Sequence, residues 1–380
     1  MNIIIVTHVY PDKADAQAGI FVHRQVKELE RLGHNAQVIR LVPSFFLRYS
    51  KKERDYIHEG VKVTCVKYFK IPSRYFYSLS TLIAGVVCLI DSRVRSINNV
   101  DLVYSQWSLP GGFVGFCISK LKRVKSFVCV RGSDINCFSK NDFLARIINR
   151  AALSSSSHVF SVSELLMKEA KKCAGLRDDL VSVNYNGVDS EVFFPPLLRP
   201  FSTPSFLFVG NLKKEKGVFE LLRLFELIKA CFPIATLTVV GKGALESKLK
   251  SFSVERKLDV NFVGSQKADK VALLMRECNY FIFLSKSEGL PNVVLEALAS
   301  GMIVFSTPVG GVPEVVFHGV NGFHISDIDL NASRDVIKEV LLMSPDHLSR
   351  ISDKASVTVV EKFNWKSNVR YLTEVFNECQ

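Results

Sequence analysis

Short apolar runs alternating with amphipathic stretches, a pattern carried through twice, restrict this chain to few architectures. In the first half, Ile3–Val6, Ala36–Val42, Val61–Val66, Leu102–Tyr104, Ser126–Val130 and His158–Val162 read as buried strands. The amphipathic stretch Ile20–Leu32 follows the first of them and stops at Gly33, and helical stretches separate most of the others. Near-continuous apolar strands with helices between them predict a parallel sheet covered on both faces. A proline cluster, Phe193-Phe-Pro-Pro-Leu-Leu-Arg-Pro200 with Pro204 beyond it, cannot continue a helix and reads as a linker. The pattern then restarts with strands Phe206–Val209, Ala235–Val240, Val260–Val263, Tyr280–Leu284 and Met302–Phe305. Helices are expected at Phe219–Ala230, from Ala244, at Lys270–Arg276 and from Pro291. Two Rossmann-like α/β domains with a cleft between them follow, and ligands in such sheets sit beyond the C-terminal strand ends. A length of 380 residues suits two domains better than one core.

Composition narrows the function classes. Apolar residues make up 48% and charged residues 23%, the balance of a globular chain rather than a disordered one. The nine cysteines are scattered and form no C-x-x-C pair, which excludes a disulfide framework or a zinc knuckle and fits a reducing compartment. Met1–Thr7 lacks the basic segment and cleavage site of a signal peptide, and Leu79–Ile90 is too short to span a bilayer, so a cytoplasmic protein is expected. The net charge is +12, and residues 1–200 hold 28 Lys and Arg against 17 Asp and Glu, so the basic excess belongs to the first half. Anionic lipid, a phosphorylated acceptor and nucleic acid are the partners such a surface attracts. No nucleic-acid-binding module is present to support the last of these.

The segment Ser285-Lys-Ser-Glu-Gly-Leu-Pro-Asn-Val-Val-Leu-Glu-Ala-Leu-Ala-Ser-Gly301 carries the most chemistry. It leaves a buried strand, turns at Gly289 and enters a helix at Pro291, which leaves the amides of Asn292 and Val293 free to hold a phosphate. Glu288 precedes the turn, and Glu296 lies in an otherwise apolar helix where a carboxylate needs a partner. Taken alone, the pair also fits a solvated loop and a helix surface. Val209-Gly-Asn-Leu-Lys-Lys-Glu-Lys-Gly-Val218 is a second loop after a strand, and by charge alone it reads as solvated surface. Val240-Gly-Lys-Gly243 is a tight turn at a strand end.

The spacing of Glu288 and Glu296 within SEGLPNVVLEALASG, continuing into Thr307-Pro-Val-Gly-Gly-Val-Pro-Glu-Val315, resembles the E-x7-E signature of glycosyltransferase family 4, the glycosyl transferases group 1. That resemblance implies a retaining, metal-independent hexosyltransferase with the GT-B fold, two Rossmann-like domains facing each other across a cleft. Residues 1–195 would bind the acceptor, 196–362 the donor, and 363–380, opening with Phe363-Asn-Trp365, would form a closing helix that crosses back to the first domain. It assigns Glu288 to the donor sugar hydroxyls, Glu296 to the ribose, and the amides of Asn292 and Val293, with Gly289 and Leu290, to the diphosphate. Lys216 matches the lysine that neutralises the donor phosphates, and Asn211 stands where relatives often carry arginine. Gly241 would line the nucleotide pocket.

In the first half, Tyr10-Pro11 and Gly19-Ile-Phe-Val-His-Arg-Gln-Val26 are similar to the family's glycine loop, which places Gly19 against the donor phosphates. Val130-Arg-Gly-Ser-Asp134 resembles a strand-end H-G-x-D motif with Arg131 in place of histidine, pairing with a phosphate or with Asp134. Trp107 belongs to a second loop, to stack on an acceptor sugar or to fill the core. The donor is expected to be a UDP- or GDP-sugar, with no cofactor. The acceptor would be a saccharide or lipid-linked saccharide of bacterial polysaccharide or lipopolysaccharide synthesis. A nucleotide-sugar epimerase is the alternative, since it shares the two-domain architecture. Tyr75–Ile90, flanked by Arg74, Arg93 and Arg95, reads either as a peripheral contact with the inner face of an anionic membrane or as a buried helix with solvated basic ends.

Overall fold

The computed structural model describes residues 1–13, 15, 17–45, 54–71, 77–136 and 142–379. The chain divides into two compact units, residues 1–185 together with the C-terminal helix Trp365–Glu378, and residues 186–364.

The first unit is built on eight strands: β1 (Asn2–Thr7), β2 (Asn35–Ser44), β3 (Tyr56–His58), β4 (Val61–Phe69), β5 (Leu102–Gln106), β6 (Lys125–Val130), β7 (His158–Ser161) and β8 (Val181–Val183). Their order in the sheet is β3-β4-β2-β1-β5-β6-β7-β8. All pairings are parallel except β3 with β4, which are joined by the two-residue turn Glu59–Gly60. Both turn residues have positive φ, 46° and 88°, the geometry whose twist matches a hairpin. The strands expected here are present to within two or three residues, with β3 and β8 added. Every residue of β5 and β7 is buried, as helices on both sheet faces require.

Helix Ile20–Arg31 packs through Val22, Val26 and Leu29, one stripe at helical spacing. The C-terminal helix lies beside it and sends Phe376 into the sheet core, with ring centroids 5.4 Å from Tyr104, 4.6 Å from Phe127 and 6.0 Å from Phe160. Helix Tyr77–Ile90 buries Ala84 and Cys88 against Val114 and Ile118, while Leu79, Val86 and Ile90 face solvent. Arg74 and Tyr75 lie outside the described residues, as does Cys137. Arg93 does not offer a free charge to a surface, because Asp55 and Asp91 each hold it at 2.7 Å. Among the described residues no helix is long and apolar enough to cross a membrane.

The second unit holds β9 (Ser205–Val209), β10 (Thr236–Val240), β11 (Val260–Gly264), β12 (Tyr280–Phe283), β13 (Ile303–Ser306) and β14 (Gly322–His324), all parallel, in the order β11-β10-β9-β12-β13-β14. Phe206, Tyr280 and Phe305 pack in series at its centre, 5.3 and 5.9 Å apart. The proline cluster read as a linker lies inside this unit, which starts at Asn186. Phe193 is buried, Asn279 Nδ2 donates to the Pro200 carbonyl at 2.7 Å, and Arg199 is buried against three carbonyl groups. Prolines stop a helix, but they do not prevent docking.

His158 on β7 is buried, its Nε2 2.8 Å from Ser182 Oγ on β8. Burial lowers its pKa from 6.5 to about 4. The unfolded chain therefore takes up a proton first as pH falls. The stabilisation is complete above pH 6.5 and is lost progressively as pH drops toward 4, by ~3 kcal/mol at most. Chemical denaturation followed from pH 7 to pH 4 should show this decline, and a His158→Gln variant should show a flatter profile.

Candidate active site

Where the strand order of an open parallel sheet reverses, the loops leaving two neighbouring strands part and leave room for a ligand. In the second unit this point lies between β9 and β12. The loop after β9 carries Asn211 and Lys216. The loop after β12 carries Glu288, Gly289 and Leu290 and runs into helix Asn292–Ala299. The two loops are laced together, since Lys286 N–H donates to the Glu215 carbonyl at 2.9 Å and Lys286 Nζ pairs with Glu220 at 2.8 Å. Across the opening, Lys216 Nζ forms a charge-assisted hydrogen bond with Glu288 Oε1. These side chains are 27% and 12% exposed, shielded enough to strengthen the attraction and open enough to change partners.

The helix start adds positive potential. Its first internal hydrogen bonds run from Val294 and Leu295 to the Pro291 carbonyl, at 3.1 and 3.4 Å, so the amides of Asn292 and Val293 precede them. Such amides, at the positive end of the helix dipole, favour an anion. Asn292 Oδ1 is buried without a hydrogen-bond partner. Glu296 lies one turn on from Asn292, on the same helix face, half-buried between the fully buried Leu295 and Ala297. Leu290 is buried at the turn, and the Gly289 carbonyl accepts the Gly311 N–H at 2.6 Å.

In the first unit the strand order reverses between β1 and β5. Gly19 ends the loop after β1 and caps helix Ile20–Arg31 at φ 66°. A Cβ there would stand 2.6 Å from the Val9 carbonyl oxygen, too close for any other residue. Trp107 begins the loop after β5 and is nearly enclosed, its ring centroid 4.3 Å from His8 and 5.8 Å from Phe21. This favours the core over an acceptor-stacking role. Arg131 lies over Phe21 at 4.5 Å and donates from Nε to Gln106 Oε1 at 2.7 Å, and Gln106 Nε2 in turn donates to Gln25 Oε1 at 3.0 Å. Asp134 is fully buried and accepts from Ser108 N, Arg131 N and Gly132 N at 2.7, 3.2 and 2.9 Å. Burial pushes its carboxyl pKa up and those amides pull it back. Its carboxylate thus fastens the β5 and β6 loops together, and an acceptor would have to break those bonds to reach it.

Two family models cover nearly the whole chain between them. One described as Glycosyltransferase Family 4 matches residues 18–192, and one described as Glycosyl transferases group 1 matches residues 189–358. The chain belongs to glycosyltransferase family 4. This glycosyltransferase is 28% identical over 334 residues to TuaC of Bacillus subtilis, a glycosyltransferase named for teichuronic acid biosynthesis, with 82% of each chain covered. It superposes on sucrose-phosphate synthase from Thermosynechococcus elongatus with a TM-score of 0.80 at 17% identity, covering 99% of this chain and 98% of that one. Anabaena HepE, in complex with UDP and glucose, matches at a TM-score of 0.75 and 19% identity over 99% of both chains. The fold class is therefore GT-B, with two Rossmann-like domains.

The structure brings Lys216, Glu288 and the helix start together around one opening in the glycosyltransferase's second unit, while Asn211 is exposed at the loop's far end. Gln25, Gln106, Ser108 and Phe21 carry no sequence signal, because their partners lie far along the chain. Gly241 has φ 138°, and any Cβ on it would overlap the Gly210 carbonyl oxygen. Its smallness thus fits the crossing of two backbones. Gly241→Ala in this glycosyltransferase should cost roughly 1–3 kcal/mol through backbone strain, read as a lower thermal midpoint.

Proposed function

We propose that this family 4 enzyme transfers a hexose from a nucleotide-diphosphosugar, with retention at the anomeric carbon, to a saccharide or lipid-linked saccharide of a cell-surface polysaccharide. The pairing of Lys216 with Glu288 beside the helix start carries this reading, because it sets a mobile cation, a hydroxyl-binding carboxylate and an anion-binding helix end around one opening. In the reaction, the diphosphate rests on the amides of Asn292 and Val293, Glu296 takes the ribose and Glu288 takes the sugar hydroxyls. As the bond from the anomeric carbon to the diphosphate oxygen breaks, Lys216 follows the growing negative charge. The acceptor oxygen bonds to the anomeric carbon on the same face, and its proton passes to the departing oxygen. Positive charge at the diphosphate comes from Lys216 and the helix, and in the D-x-D pair Asp327-Ile-Asp329 the second carboxylate is taken up as the cap of helix Leu330–Leu341, accepting from Ala332 N–H at 2.9 Å, so transfer is expected to need no metal there. The UDP and glucose bound to HepE and the name of TuaC support a nucleotide donor and a polysaccharide setting. The exposed Leu79, Val86 and Ile90, on a basic unit, support an acceptor held at the inner face of a membrane.

The test is a panel of UDP-, GDP- and ADP-sugars incubated with the protein, with and without membrane extract and with and without EDTA. Nucleotide release matched by sugar appearing on an acceptor, unaffected by EDTA, is the expected result. A changed sugar still joined to its nucleotide would identify an epimerase instead.

A further inference from the structure

We propose that His23, His58 and Glu59 form a zinc site in the first unit. One donor atom from each residue lies within 4.8 Å of the other two. His23 Nε2 already meets Glu59 Oε2 at 3.0 Å, and the two imidazole rings stand nearly perpendicular with centroids 4.6 Å apart. Two nitrogens and a carboxylate oxygen around an open fourth position are a donor set that suits Zn²⁺. In a tetrahedral site the ligand atoms sit ~3.3 Å apart, so the half-exposed His58 ring has only to swing inward.

The surroundings are arranged as ligands require. His23 is buried, and its other nitrogen, Nδ1, lies 2.7 Å from the hydroxyl of the fully buried Tyr10. With Nε2 on a metal, Nδ1 carries the ring proton and donates it to that oxygen, which fixes the tautomer and the ring plane. Glu59 occupies the first position of the β3–β4 turn at φ 46°, where asparagine or glycine is the ordinary choice. Lys27 is the nearby cation; its Nζ donates to the Glu59 carbonyl at 3.0 Å and is neutralised by Glu30 at 2.6 Å. An ion here ties the start of helix Ile20–Arg31, directly after Gly19, to the hairpin tip and, through Tyr10, to the loop after β1.

Metal-free protein titrated with Zn²⁺ by calorimetry should bind one equivalent, and Co²⁺ in its place should show the intense visible bands of four-coordinate cobalt. His58→Ala and Glu59→Gln, both at the exposed hairpin tip, should fold normally and bind roughly 100-fold more weakly, and Tyr10→Phe roughly 10-fold more weakly. The thermal midpoint of the parent protein should rise with Zn²⁺ and that of His58→Ala should not. Absence of Zn²⁺ binding, equal binding by the hairpin variants, or equally tight binding of Mg²⁺ would each overturn the assignment.

Discussion

Replacing Glu288 with alanine should lower kcat by roughly 10²–10³-fold while leaving nucleotide affinity unchanged or slightly tighter. The asymmetry follows from the pairing of this carboxylate with Lys216. On the proposed roles, Glu288 without a donor occupies the lysine that a phosphate would take, so removing it would take away a competitor as well as a sugar ligand. Lys216→Ala should lower kcat by a similar factor but also weaken nucleotide binding, because it deletes the cation itself. Steady-state kinetics and calorimetry with the free nucleoside diphosphate separate the two variants. If Glu288→Ala lost affinity and turnover together, its role would be to shape the pocket rather than to hold the sugar.

Arg199→Met should destabilise the second unit by about 3 kcal/mol or more. The guanidinium donates to the carbonyls of Met275 and Cys278, at the end of helix Ala268–Glu277, and to that of Ser300, just past helix Asn292–Ala299. It thereby satisfies backbone oxygens that helix geometry leaves unpaired, and its charge opposes the negative ends of two helix dipoles. Methionine fills the space but donates nothing. Native-state hydrogen exchange should show lost protection around residues 268–278, and Arg199→Lys should restore part of it. A variant as well protected as the parent would mean that water reaches these carbonyls.

The strands were legible because parallel strands covered on both faces are apolar throughout, as in Ile3–Val6 or Tyr280–Phe283. The three that escaped notice, β3, β8 and β14, are three residues each, too short to establish a period. Lys216 and Glu288 stood out through their motifs. Their contact did not, since 72 residues separate them and only the adjacency of β9 and β12 brings their loops together. Asp134 was legible as a strand-end acid but not as a clamp, because its partner Ser108 comes from another loop. The run from Gln25 through Gln106 to Arg131 left no trace in the sequence for the same reason.

Phe376 has a consequence for how the protein is made. It closes the aromatic core of the first unit, yet it emerges from the ribosome only after the whole of residues 186–364. At ordinary elongation rates, roughly 10–40 s pass in which Tyr104, Phe127 and Phe160 have been synthesised but lack their covering ring. For that interval the nascent first unit presents an oily opening to solvent, and only translation of the helix that carries Phe376 seals it.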